Sequence, residues 1–213
     1  VAEFVYEIAR VWRCRYLSRQ VRYPDLTRAY LAAYSFLSHS GNSFHSLRSI
    51  MPIPAAISHA AEEFRYNSHF AADFVKDLTP EEWVKRPEGA ANHIAWIVGH
   101  VIWARTAVLT RLGATWSAPW IGLFARGAKV DDSAAYPSPD TLMAAWHEVS
   151  DAMKLAFENA SDELVARPAP QPGPPSADGK LSGTIRFLAW HETYHVGQIS
   201  YVRSLLGKKS LMG

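Results

Sequence analysis

The chain has 213 residues, 48% of them hydrophobic and 20% charged, which is enough apolar material for one core of ordinary size, short for two, and excludes disorder over the whole length. The net charge of +2 hides an asymmetry: residues 1–50 carry seven Arg against three acids, and the remainder carries fifteen bases against seventeen acids. The main body therefore offers no basic stripe to a polyanion, and no nucleic-acid partner is expected.

In chain order, residues 1–50 draw all their positive charge from Arg, with Glu3 and Glu7 standing where a secretory signal needs an apolar block. No run approaches 18 uninterrupted apolar residues, so the sequence reads as soluble, cytoplasmic and without a membrane partner. Cys14 is the only cysteine; it excludes an internal disulfide and a thiolate-rich metal site, leaving His and carboxylate as ligands for any metal. Residues 1–50 read as a peripheral extension or an upstream-extended gene model, with the domain proper over 51–213. The alternative is an added helix packed on the domain, because VAEFVYEIARVWRCRYL has roughly helical spacing.

Four segments with a period near 3.6 follow. The first, over 58–77, starts at Ser58 and puts Phe64, Ala71, Phe74 and Leu78 near one face. After it, Thr79-Pro80-Glu81-Glu82 has the cap, proline and acidic first turn of a short helix. The second, over 91–112, starts at Asn92 and stops at Gly113; the third, over 139–160, opens on Ser138-Pro139-Asp140 and carries Leu142, Trp146, Val149, Met153 and Phe157. The fourth, over 183–206, follows a proline-rich loop and stops at Gly207. Amphipathic helices of this length bury their stripes against one another, so the expected fold is all-α, a four-helix bundle. The connection 113–138 is long and aromatic, and loops of that kind often cover sites.

His191-Glu192-Thr193-Tyr194-His195 in the fourth helix is the strongest chemical signal. Its histidines lie about 40° apart and about one turn along the axis, so both imidazoles can converge on one cation. The stripe Leu188, His191, His195, Gln198, Val202, Leu205 turns them inward. Read literally the pentapeptide is the HExxH pattern of zinc proteases, but residues 196–213 contain no His, Asp or Glu for a third ligand, and the extended form of the motif fails at Gln198 and Tyr201. The third ligand is better sought at His100, mid-helix in the second segment, on a stripe with Trp96, Trp103 and Ala107 and beside Gly99, which permits close approach of a neighbour. His100, His191 and His195 would leave one coordination position open, as in catalytic zinc sites. His93, seven residues earlier and about 10 Å along the axis, is too far for the same ion and is expected at the pocket mouth or on the surface.

Asn92-His93-Ile94-Ala95-Trp96 through Gly99-His100, Pro137-Ser138, and His191-Glu192-Thr193-Tyr194-His195-Val196-Gly197-Gln198 with Arg203 and Leu206-Gly207 together resemble the DinB-like (DinB/YfiT-like) superfamily over about 55–207. The resemblance implies an up-down-down-up bundle that binds Zn, Ni or a similar divalent ion through His100, His191 and His195, often as a homodimer. It also implies activities of the thiol S-transferase kind that use a low-molecular-weight thiol as cofactor.

The remaining residues keep two readings each. Glu192 is either a catalytic general base or a solvated or interhelix ion-pairing residue; Gln198 either orients His195 or a bound water, or is a buried polar residue tied to a neighbouring backbone. Trp96, Trp103 and Trp190 read as core, whereas Trp116 and Trp120 in the long loop are candidates to wall an apolar pocket, with Arg126 holding an anionic group. His147 is expected to face outward, and His39, His45, His59 and His69 have no partner at ligand spacing. The function expected is metal-dependent transfer or hydrolysis of a small-molecule substrate; its rival is a non-catalytic, metal-stapled ligand-binding module.

Overall fold

The computed structural model describes residues 52–131 and 135–211; the expectations for residues 1–50 lie outside the described residues. Helix α1 (Ala55–Val75) buries Ile57, Ala60, Phe64, Ala71 and Phe74 at three-, four- and seven-residue intervals and begins three residues before the sequence expectation. Helix α2 (Pro80–Val84) is a single turn held by a reciprocal capping box, Glu82 N donating to Thr79 Oγ1 and Thr79 N donating to Glu82 Oε2, which lets it lay Trp83 into the core. Helix α3 (Ile94–Arg111) is stopped just before Gly113, whose φ of 81° favours glycine. A 3-10 turn (Ile121–Phe124) then interrupts the long connection.

Helix α4 (Pro139–Glu158) starts on Ser138, whose hydroxyl accepts from Thr141 N, and buries all five residues of the expected stripe. Helix α5 (Asp162–Val165), one turn capped by Ser161, has no counterpart among the sequence expectations. Helix α6 (Leu181–Leu205) runs to Gly207, again at positive φ. No strand occurs among the described residues, and no helix among them is long and apolar enough to cross a membrane.

Side-chain pairings fix the helix directions. Phe64 meets Phe157 while Ser68 meets Ser150 and Trp146, so α1 and α4 are antiparallel. Glu63 and Asn67 meet Thr193 while Phe74 and Asp77 meet Arg203, so α1 and α6 are parallel. His93 meets Tyr136, just before α4, and Arg105 meets Ser150, so α3 and α4 are parallel. The result is an up-down-down-up bundle in which α3 packs on both α4 and α6. Because α2 and the 3-10 turn also cover α3, its residues are buried without a gap from Ile94 to Ile102. A polar group within that stretch is therefore cut off from solvent, and it must find its partner inside the protein.

Candidate metal centre

His100 in the middle of α3 faces the histidine pair of α6, and one ring nitrogen from each of His100, His191 and His195 lies within 4.8 Å of the others. The closest approach, 3.1 Å, is between His191 Nε2 and His195 Nε2. Ring centroids are 4.5 Å apart for His191 and His195, 4.8 Å for His100 and His195, and 5.5 Å for His100 and His191. Nitrogens bound to one tetrahedral ion at about 2.1 Å sit about 3.4 Å from one another, and the observed spacings bracket that value. The group is thus placed by helix periodicity on α6 and by the α3–α6 packing.

Hydrogen bonds decide which nitrogen of each ring is free. The Phe124 carbonyl can only accept, so His100 Nδ1, 2.8 Å away, carries the proton and Nε2 keeps its lone pair. His195 Nδ1 donates likewise to Gln198 Oε1 at 2.7 Å, while Gln198 Nε2 donates to the Tyr194 hydroxyl. His195 Nε2 is then also a bare acceptor, pointed at His191. Trp96 stacks on His100 at 4.9 Å and 7°, and Trp103 at 5.5 Å and 23°, so the His100 ring has little freedom to turn.

Burial, more than any charge, pushes all three imidazoles below their ordinary value, His195 to about 4 with further lowering from His191 and His100. At neutral pH they are uncharged, the form that ligates a metal. The His191 Nδ1 atom is buried without a hydrogen-bond partner. Three neutral imidazoles, two with Nε2 directed inward, are a donor set that suits a first-row divalent cation.

Glu192 faces away from this group. Its carboxylate accepts from Arg105 Nε at 2.8 Å and from Arg105 Nη2 at 2.6 Å, with both side chains almost fully buried. Arg105 also donates to Ser150 on α4 and Ser68 on α1, and lies 4.0 Å over the Trp146 ring. Burial pushes the Glu192 carboxyl up, and Arg105 pulls it back. Of the two readings of Glu192, the interhelix ion pair is the one for which the structure supplies a partner, and no Glu192 oxygen belongs to the histidine group. Arg105 was missed by sequence reasoning, although a lone Arg in the apolar run from Ile94 to Leu109 signals a buried acid.

Two expectations are corrected. His93 is neither at a mouth nor on the surface: it is 1% exposed and caps α3, its Nδ1 accepting from Trp96 N. Trp190 is not core but 59% exposed, on an outer stripe with Tyr194 and Tyr201. Trp116, Trp120 and Arg126 line neither of the two concavities described below. The Trp116 indole donates to Glu148 on α4, Trp120 packs against Trp116 and Phe124, and Arg126 is exposed. His147 is exposed as expected, His59 and His69 are exposed too and stand outside the histidine group, while His39 and His45 lie outside the described residues.

Two concavities stand out, and neither is lined by the histidines themselves. One of 570 Å³ lies between α1 and α4, walled by Phe64, Met153 and Phe157 over Arg105; the other, of 460 Å³, is an open groove along Trp190, Gly197 and Tyr201. Compared with known proteins, residues 66–199, more than half of the chain, match the family model of the DinB superfamily. No curated protein matches the chain.

Proposed function

The chain belongs to the DinB superfamily, and on that premise we propose that it is a metal-dependent enzyme acting on a small molecule, of the thiol S-transferase or hydrolase type. His100, His191 and His195 would hold a divalent ion, Zn before Ni. The observation that carries the reading is the convergence of three neutral imidazoles, two of them tautomerically fixed with Nε2 inward. A divalent cation held there supplies Lewis acidity, lowering the pKa of a water or thiol that it binds. The protein's own part is to keep the imidazoles neutral by burial, to aim His100 and His195 through Phe124 and Gln198, and to hold α3 against α6 through Arg105 and Glu192.

With its carboxylate forked on Arg105, Glu192 is a positioning residue in this reading rather than the base. A low-molecular-weight thiol suits such a site better than a substrate that needs a protein carboxylate, because a thiol with a lowered pKa loses its proton to solvent at neutral pH. The same observation also favours the rival, a non-catalytic module in which the metal staples α3 to α6. The test is a screen of the full chain, with and without Zn²⁺, for transfer of small thiols to electrophiles and for ester hydrolysis. Turnover that needs added metal and disappears in His191→Ala supports the enzyme; metal bound at one equivalent with no turnover in any assay supports the module.

A further inference from the structure

We infer that Gly99 and Phe124 form a lock that fixes His100 in its ligating tautomer, Gly99 as the seat of the Phe124 ring and the Phe124 carbonyl as the acceptor that dictates which nitrogen carries the proton. The inference rests on the reading of His100 as a metal ligand and extends it to residues that touch no metal. Gly99 lies in the middle of α3 at an ordinary helical φ, where a glycine destabilises relative to alanine, so its backbone freedom explains nothing. Space does: a Cβ built on Gly99 would run into the Phe124 ring at three of its carbons. Phe124 is completely buried in that seat, with Trp120 edge-on at 5.8 Å and Tyr136 at 5.7 Å holding its other sides.

The consequence is carried by the backbone. Seating the ring puts the Phe124 carbonyl 2.8 Å from His100 Nδ1, one residue along α3 from the glycine. A carbonyl has no proton to give, so the bond exists only in the Nδ1–H tautomer, which leaves Nε2 bare toward His191 and His195. Trp96 and Trp103 hold the ring plane but offer no acceptor that selects between tautomers. Gly99 and Phe124 are thus positioning residues, acting on the site through His100.

Histidine ¹⁵N NMR of the metal-free full chain reads the tautomer directly, and competition with a chromophoric chelator reads the affinity for Zn²⁺ alone. The parent is expected to show His100 as Nδ1–H. Gly99→Ala and Phe124→Ala should each move His100 toward Nε2–H and weaken Zn²⁺ binding by about 10–100-fold. Because both act through one seat, the double variant should be no weaker than the weaker single. Gly122→Ala, in the same 3-10 turn but with open space around its Cβ, should behave as the parent. The lock is overturned if the metal-free parent shows His100 as Nε2–H, a reading that needs no variant to fold, if Gly99→Ala keeps parental tautomer and affinity, or if the two losses multiply. A parent that shows Nδ1–H yet takes up no Zn²⁺ supports the lock and removes the metal reading, so the two failures are distinguishable.

Discussion

His191 and His195 meet His100 on the α3-facing side of α6, whereas Glu192, the residue after His191, meets Arg105 in the middle of the four helices. Both clusters are buried and polar, yet they are completed differently. Around Arg105 the donors and acceptors close on one another: two bonds to Glu192, one each to Ser150 and Ser68, and an aromatic face beneath. Around the histidines the Nδ1 atoms of His100 and His195 are used, but their Nε2 atoms converge on His191, His195 Nε2 lying 3.1 Å from His191 Nε2, and His191 Nδ1 has no partner. A buried cluster that satisfies itself holds helices together; one that gathers free lone pairs is able to receive a cation.

Breaking the closed cluster should have the largest effect. Arg105→Met leaves Glu192 as a buried, unpaired carboxylate and should cost about 3–5 kcal/mol in urea denaturation. The double variant Arg105→Met/Glu192→Leu should recover most of that loss; a single-variant cost under about 1 kcal/mol would remove the distinction between the clusters. The open cluster should show the reverse pattern, with stability gained from outside. Zn²⁺ at about a hundred times its dissociation constant should add about 2.7 kcal/mol to the parent and nothing to His191→Ala, as read from urea midpoints with and without metal.

A smaller effect sharpens the role of the partners outside the ligand set. Gln198→Leu strands the His195 Nδ1 donor and should weaken Zn²⁺ binding about tenfold while far-UV circular dichroism stays unchanged. The smallest effect concerns Asp178, a solvent-facing counterpart of the closed cluster at the start of α6. Burial pushes its carboxyl up, but bonds from Lys180 N, Ser182 and Ser176, with Arg186 nearby, outweigh that and hold it at about 2 against an ordinary 3.8. Its contribution is therefore complete above the unfolded value and lost as pH falls from about 4 to about 2. Asp178→Asn should cost about 1 kcal/mol at neutral pH and flatten that part of an acid-unfolding curve.

The open cluster was largely legible in the sequence because its signal is local: HxxxH spacing on an inward stripe, with His100 on a second apolar helix. The helix punctuation was legible for the same reason, through Thr79-Pro80, Ser138-Pro139, Gly113 and Gly207. What escaped depends on contacts far apart in the chain. Arg105 finds Glu192 across 87 residues, and nothing near either residue announces the other. The Phe124 carbonyl belongs to a backbone atom, which carries no sequence signature, although Gly99 marked the close approach that seats it. Trp190 reads as core because aromatic residues at helical spacing usually pack, but it falls outside the arc of α6 that faces α3 and α1. His93 was misread because its ring works as a cap, a task that helical periodicity does not reveal.

Elemental analysis of the purified full chain beside His100→Ala and His191→Ala, after equal exposure to Zn²⁺ and Ni²⁺, tests the central claim most directly. The account predicts about one equivalent of metal in the parent and loss of it in both variants, one from each helix. A folded parent without metal, or metal retained in both variants, would contradict it.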